Sequence, residues 1–514
     1  MSKRGKIVVL LLIIVSGFFL RLAGLYWGQA FHHASSGDEM DAYRVALEFA
    51  SGQERAQYIG QPNFKSAKVP GPLWALFWLA GLKIGGSPAS VCLLVILLGT
   101  AVIYFVYRLA EKLLGPEYSL WAALLCATSP WAVHYSVGAT NPLLMAFLSG
   151  LLYLSLWDVV VGEKSPKIFW VCLILAVMPQ FHMMVIFLAP AVLLVLALNF
   201  SRVNWRWLAA GMVASVVPYI PYILGDRRHG WENTRAILTA QPNASPAVLK
   251  ILILPITDLS NLISSITGEN LADYRAFGDS CFGSVWVLVA FNAVSVALAV
   301  AMIGSFLVAF GRILRNHWRS PRQAFAAAPA EVFIGLLFFL PLLLFVLSFN
   351  NFSSRYLILE FPLLFLLPAL FVVRSLAKSR WRKPIVATLL ALVAFNVWLT
   401  LASFLYQGRL IETGDRFLPS FQKMEMVRQR LKADAGPGAR LQIDQTPFLA
   451  EKKRWTAAGA VTLADYIDLH ETYDPSDGKT QRVKTYRVLQ ASDNVATNDR
   501  VAYAGNGIVI VTSY

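Results

Sequence analysis

The stretch IVVLLLIIVSGFFLRLAGLYW, Ile7–Trp27, decides the fold. It carries a single charge, Arg21, and about 20 apolar residues suffice to cross the hydrocarbon core of a bilayer as a helix. Comparable runs recur along the 514-residue chain, which is 57% hydrophobic and 15% charged, with mean hydropathy +0.55. So much apolar surface does not suit a string of soluble domains, and in lipid a helix satisfies its own backbone polar groups. The sequence therefore reads as a polytopic α-helical membrane protein.

The net charge of +15 would suit a polyanion partner if it lay in a stripe. Instead the basic residues cluster between apolar runs: Lys3, Arg4 and Lys6; Arg108 and Lys112; Lys164 and Lys167; Arg202 and Arg206; Arg312 to Arg322; Arg374 to Lys383. Short basic loops stay in the cytoplasm, so the charge reports topology and nucleic acid is not an expected partner. The four cysteines show no disulfide or metal-ligand spacing. The first run has a basic start but exceeds a signal h-region and lacks a small-residue cleavage site, so it reads as a retained span.

With the basic clusters inside, spans fall near 7–27, 89–110, 119–138, 142–160, 168–180, 183–201, 207–224, 284–310, 331–349, 356–373 and 384–406. The N-terminus is then cytoplasmic, and residues 1–406 form a membrane domain of about 11 helices. Pro179 is expected to break the backbone between the fifth and sixth spans. Three segments lie outside. Residues 28–88 hold SSGDEMDAYR (Ser35–Arg44), a helical MDAYRVALEFASGQ and a short apolar PGPLWALFWLAGLKIGG, read as a helix in the membrane interface. Residues 225–283 hold GDRRHGWENTR and an amphipathic VLKILILPITDLSNLISSI. Residues 407–514 turn polar and read as a small α/β domain, with a helix closed by Gly436 and strands ARLQID, TYRVLQA and RVAYAGNGIVIV.

Three carboxylates crowd the exit from the first span. Asp38 either caps the helix that follows or serves as a general base, since a carboxylate in a partly desolvated cleft gains basicity. Glu39 and Asp41 fit the helix start, and Arg44 is a local ion-pair partner. Lys68 reads either as a snorkelling lysine or as a cation for a lipid phosphate. Arg21 inside its span calls for a carboxylate or a wet cavity. Arg355, opening the tenth span, suits phosphate binding or a pair with Glu360. His134, Tyr135, His182, Glu232 and Asn233 all fall on the outer face. A metal site built on the histidines has no specific spacing behind it, so no cofactor is assigned and a divalent metal is unsupported.

The order of these features resembles the GT-C glycosyltransferases of the protein mannosyltransferase and aminoarabinose transferase type (glycosyltransferase family 39 and relatives). It rests on the first span, the acidic pair Asp38-Glu39, KVPGPL (Lys68–Leu73), SP…Y…NP (Ser129-Pro130, Tyr135, Asn141-Pro142) and RY…P (Arg355-Tyr356, Pro362), across roughly residues 7–400. The resemblance implies an inverting transfer, on the extracytoplasmic face of a bacterial plasma membrane, from a polyprenyl-phosphate-sugar donor to a lipid, glycan or protein. It places Asp38 as the base, Glu39 beside it, and Lys68, Arg355 and Tyr356 at the donor phosphate. Arg21, Arg44, His134, Tyr135, Asn141, His182, Glu232 and Asn233 become candidate substrate contacts. Two positions depart from the pattern: Ala67 replaces a glutamate before the lysine, and Asn141 replaces an aspartate. Both departures weigh against a metal-dependent variant. The alternative of another class is a transporter or flippase of lipid-linked saccharide. Such proteins usually carry inverted repeats and polar groups at the midplane, and neither is visible in this sequence.

Overall fold

A computed structural model describes residues 2–26, 38–64, 67–116, 118–139, 143–239, 274–348, 358–376, 382–412, 421–436, 439–444, 466–467, 482–490, 499–505 and 508–513. The amphipathic stretch 248–266, Asn141, Arg355 and Tyr356 lie outside them, as does the side chain of Asp38.

The chain begins with α1 (Lys3–Tyr26), α2 (Asp38–Ala50), the antiparallel ribbon β1 (Pro62–Phe64) and β2 (Ala67–Lys68), and α3 (Leu73–Gly85). Then follow α4 (Pro88–Leu114), α5 (Ser119–Thr128), α6 (Pro130–His134), α7 (Leu143–Val161), α8 (Ile168–Val177) and α9 (Val185–Leu198). Next come α10 (Trp205–Val216), α11 (Ile220–Arg228), α12 (Glu232–Thr239), α13 (Tyr274–Phe282), α14 (Val285–Asn316), α15 (Pro321–Ala327) and α16 (Pro329–Ser348). The helices end with α17 (Phe361–Leu364), α18 (Leu366–Leu376), α19 (Arg382–Glu412) and α20 (Phe421–Ala435).

Each of the eleven expected spans is helical, but length divides them. Among the described residues six helices are long and apolar enough to cross a bilayer, or seven with the pair α15–α16, which is bent by 118°. The others are apolar helices of 10–17 residues, and prolines end two of them, at Pro130 and Pro179. The expected span 119–138 is two helices. Pro130 has no N–H to give and starts a new helix, with Ser129 accepting from Ala132 N. Pro179 turns α8 into a 3-10 turn at Met178–Gln180, as expected. The KVPGPL segment leads into α3, a 13-residue helix whose Trp74 and Trp78 are buried against neighbours, including α2 and α4, rather than spread on a surface.

Helix α1 packs on α4 and α5, α7 on α4 and α8, and α9 on α16. Gly99 of α4 faces Ser136 so closely that a Cβ would stand 2.4 Å from its Cβ, the small-residue contact typical of packed membrane helices. Three of the basic clusters meet at one end of the bundle. Asp158, closing α7, bridges Lys112 of α4 and Lys167 before α8, while Arg202 donates to the carbonyl of Val160 at 2.6 Å. The α/β segment forms a four-stranded sheet of order β3-β4-β6-β5, with β3 (Ala439–Asp444), β4 (Arg482–Gln490), β5 (Asp499–Gly505) and β6 (Ile508–Ser513). β3 and β4 are parallel and the other pairs antiparallel. Gly436, at φ +85°, closes α20 as expected.

Candidate active site at the far end of the bundle

The start of α4 and the end of α11 lie opposite the basic end, and there the chain builds a cradle around Lys68. On one side the ribbon holds the backbone: Val69 N donates to Gln61 O at 3.0 Å and Gly60 N to Val69 O at 2.8 Å. Asn233 takes the other side as a surrogate strand. Lys68 N donates to its Oδ1 at 2.8 Å, and its Nδ2 donates to Lys68 O at 3.1 Å. Asp226 sets Asn233 in place by accepting from the backbone N–H groups of Asn233 (3.0 Å) and Thr234 (2.9 Å) and from the Thr234 hydroxyl (2.6 Å). These bonds satisfy the opening turn of α12, the work of an N-cap carboxylate supplied from six residues upstream. Beyond Lys68, Gly71 sits at φ +127° against Gln180, where a Cβ would fall 2.1 Å from Oε1.

The Lys68 main chain is thus fixed from both sides while its side chain stays half-buried. Among the described residues no acceptor or carboxylate is bonded to its ammonium. Replacing Asn233 with Ala removes two bonds to buried main chain, at a local cost of about 1–3 kcal/mol. Amide exchange at Lys68 is then expected to speed up about tenfold or more, a change that exchange mass spectrometry reads directly.

Helix α2 includes Asp38 in its first turn. Its inner face carries Glu39, Ala42, Tyr43 and Ala46, at the spacing of one helix side, all buried. Glu39 is 1% exposed, and its Oε1 accepts from Ala139 N at 3.0 Å. That bond ties α2 to the loop after α6, so Glu39 anchors the helix as well as opening it. Arg44 faces away, pairing with Asp41 at 2.5 Å and Glu48 at 3.8 Å on the solvent side. These are i,i+3 and i,i+4 pairs along one helix, the local partner expected for Arg44.

The other candidates make the following contacts. Among the described residues Arg21 is bonded to a hydroxyl and backbone carbonyls and to no carboxylate. Its guanidinium donates to Ser136 Oγ at 2.9 Å and to the carbonyls of Gly17, Ala127 and Cys126 at 2.9, 3.3 and 3.4 Å. His182 is buried, and its Nδ1 accepts from Met184 N at 3.2 Å, which shapes the turn before α9. Glu232 pairs with Arg55 at 3.3 Å on the surface. His134 packs edge-on to Tyr135, itself buried. No group of three or more His, Cys, Asp or Glu that could hold a metal ion occurs among the described residues. Asp226 carries no motif, and its only signal was a position just before a helix that needed a cap.

A family model described as dolichyl-phosphate-mannose-protein mannosyltransferase matches residues 68–224, from the cradle lysine to the middle of α11. Two crystal structures of ArnT from Cupriavidus metallidurans align over 99% of this chain and 98% of theirs. Both are 13% identical to it; the one bound to undecaprenyl phosphate has a TM-score of 0.55 and the apo one 0.56. The chain thus shares the fold of ArnT along its whole length. The oligosaccharyltransferase of Archaeoglobus fulgidus in its apo form aligns over 95% of this chain and 70% of its own, at 13% identity and a TM-score of 0.46. No protein of curated function matches in sequence. The family-model match begins on Lys68 and contains Pro70, Pro72 and the SP…Y…NP stretch, residues that also carried the sequence resemblance.

Proposed function

We propose that this chain transfers a sugar from a polyprenyl-phosphate donor to an acceptor hydroxyl at the extracytoplasmic face of the bacterial plasma membrane. The observation that carries this reading is the Lys68 cradle. A half-buried ammonium sits beside the membrane boundary, its backbone held on both sides and its charge left uncommitted by any described residue. A leaving phosphate needs a cation in that state, since one already paired with a carboxylate has little to give. The fold match to ArnT bound to undecaprenyl phosphate supports the same donor class.

In the reaction the acceptor oxygen attacks the anomeric carbon as the bond from that carbon to the phosphate oxygen breaks, with inversion. The acceptor proton passes to the carboxylate of Asp38. The polyprenyl phosphate leaves with one further negative charge, which Lys68 stabilises together with Arg355 and Tyr356. Glu39, bound to Ala139 N, holds the helix that presents Asp38. The acceptor is a hydroxyl of a lipid, glycan or protein, and no metal enters the scheme.

The reading is tested by reconstituting the purified protein in vesicles with polyprenyl-phosphate sugars and measuring polyprenyl phosphate released. Lys68→Ala is expected to raise the apparent KM for donor at least tenfold while moving that for acceptor less than threefold. Equal loss on both sides would mean that Lys68 only supports the fold. Movement of intact lipid-linked sugar across the vesicle, without cleavage, would favour the transporter reading. The polar residues of the cradle gather at one end rather than the midplane, which favours the enzyme.

A further inference from the structure

The α/β domain after the last span is not a separate body resting on the membrane part. Met424, Val427 and Leu431 of α20 are buried at one-sided helical spacing. They belong to one contiguous apolar cluster with Ala42, Tyr43 and Ala46 of α2 and with Trp74 and Trp78 of α3. The same cluster continues through Leu441, Tyr486 and Ile510 into the sheet.

At the centre of this junction two tyrosines meet. The ring of Tyr43, on the face of α2 that also carries Glu39, lies 6.2 Å from the ring of Tyr466 with 22° between their planes. On its other side Tyr43 is 5.7 Å from Trp78. Tyr466 is itself fixed: its hydroxyl donates to Glu425 Oε2 at 2.9 Å. Glu425 is gripped by both arms of Arg428, Nε and Nη2 each at 2.8 Å. A fork-on-fork pair of this kind sets direction as well as distance. Burial lifts the Glu425 carboxyl, but hydrogen bonds from Arg428, Tyr466 and Gln429 outweigh it and bring it down to about 2. The folded value is depressed, so its stabilisation is complete above the ordinary carboxylate range and is lost only as pH falls toward 2. Burial and the nearby Glu425 carboxylate both push the Tyr43 phenol well above its usual value, so it remains a neutral stacking ring.

We infer that Tyr466, held by Glu425 and Arg428, is a positioning residue for transfer. Its ring locks the rotation of α2 through Tyr43 and so aims the Asp38 end of that helix at the reacting hydroxyl. This rests on the proposal that Asp38 is the base. A rotation of α2 by a few tens of degrees would swing a first-turn carboxylate by more than 1 Å about an axis roughly 5 Å away, enough to cost about a hundredfold in rate.

The test compares Tyr466→Ala with Tyr466→Phe in the full-length protein. Two readouts are followed: steady-state transfer, and amide exchange of residues 42–47. Tyr466→Ala is expected to lower kcat by tenfold or more with the donor KM within threefold, and to speed exchange across α2. Tyr466→Phe keeps the stacking ring but loses the hydroxyl that Glu425 holds, so it is expected to recover part of both, between Tyr466→Ala and wild type. Wild-type kcat and exchange in Tyr466→Ala would overturn the inference. So would a loss that falls equally on kcat and KM and that Phe does not rescue, since that marks a merely structural side chain. The exchange readout does not depend on which residue is the base. If Asp38 proves dispensable while Tyr466→Ala still loosens α2, it is the base assignment that fails and not the brace.

Discussion

Asp38→Asn is expected to insert, fold and bind donor like the wild type while losing about 10²–10⁴-fold in kcat, the usual contribution of a positioned general base. The substitution keeps shape and hydrogen-bonding capacity and removes only the ability to take a proton. The competing role, support of the start of α2, makes a different forecast. A lost charge in a helix's first turn costs about 0.3–1 kcal/mol. Asparagine is also a good N-terminal residue, so a helix-supporting Asp38 predicts a change of a few-fold at most. Transfer assays in vesicles, run beside size-exclusion profiles of the purified variants, separate the two. Asp38→Glu is expected to recover part of the rate. Full activity in Asp38→Asn would remove the base from this position.

The second large effect concerns stability. Arg21→Ala is expected to destabilise the membrane domain by about 3–5 kcal/mol, seen as a sharp fall in thermal aggregation midpoint and in yield of folded protein. The reason lies in the break between α5 and α6. In a continuous helix the carbonyl of Cys126 would accept from the amide of residue 130, but that residue is Pro130 and has no N–H. Ser129 is extended at the break, at ψ 121°, so the helix does not run on past the Ala127 carbonyl. Arg21, from the neighbouring helix, gives its own N–H groups to both, and its Nε to Ser136 beyond the break. In lipid, carbonyls left bare have no water to turn to. Arg21→Lys is expected to recover only part of the loss, because an ammonium lacks the planar fork. A stable, monodisperse Arg21→Ala that has lost donor affinity would return Arg21 to the substrate site.

The sequence made the membrane character and the mostly helical build readable, because each depends on local patterns: apolar runs, basic loops, a glycine closing a helix. The prolines after Lys68 drew notice to a segment whose main chain the structure holds on both sides. What stayed hidden depends on who faces whom. Arg21 looked like a site residue since nothing near it in sequence shows that Pro130, more than a hundred positions on, leaves carbonyls to be filled. Asn233 looked like a substrate contact, and its true partner is the main chain of Lys68, 165 residues away. Asp226 and Tyr466 drew no notice, since a cap from a distance and a ring stack between domains leave no spacing to detect. Arg44 and Glu232 each found the ordinary surface partner that a charged residue on a helix finds.

The way Asn233 grips Lys68 makes that position unusually open to chemical substitution. The grip is on the peptide alone, so the side chain can be exchanged without disturbing how the segment is held. A cysteine placed there and alkylated with an aminoethyl group would rebuild a lysine-like ammonium with sulfur in place of the γ-methylene. A homologous series of such adducts would then act as a ruler, measuring in single bond lengths how far the charge must reach.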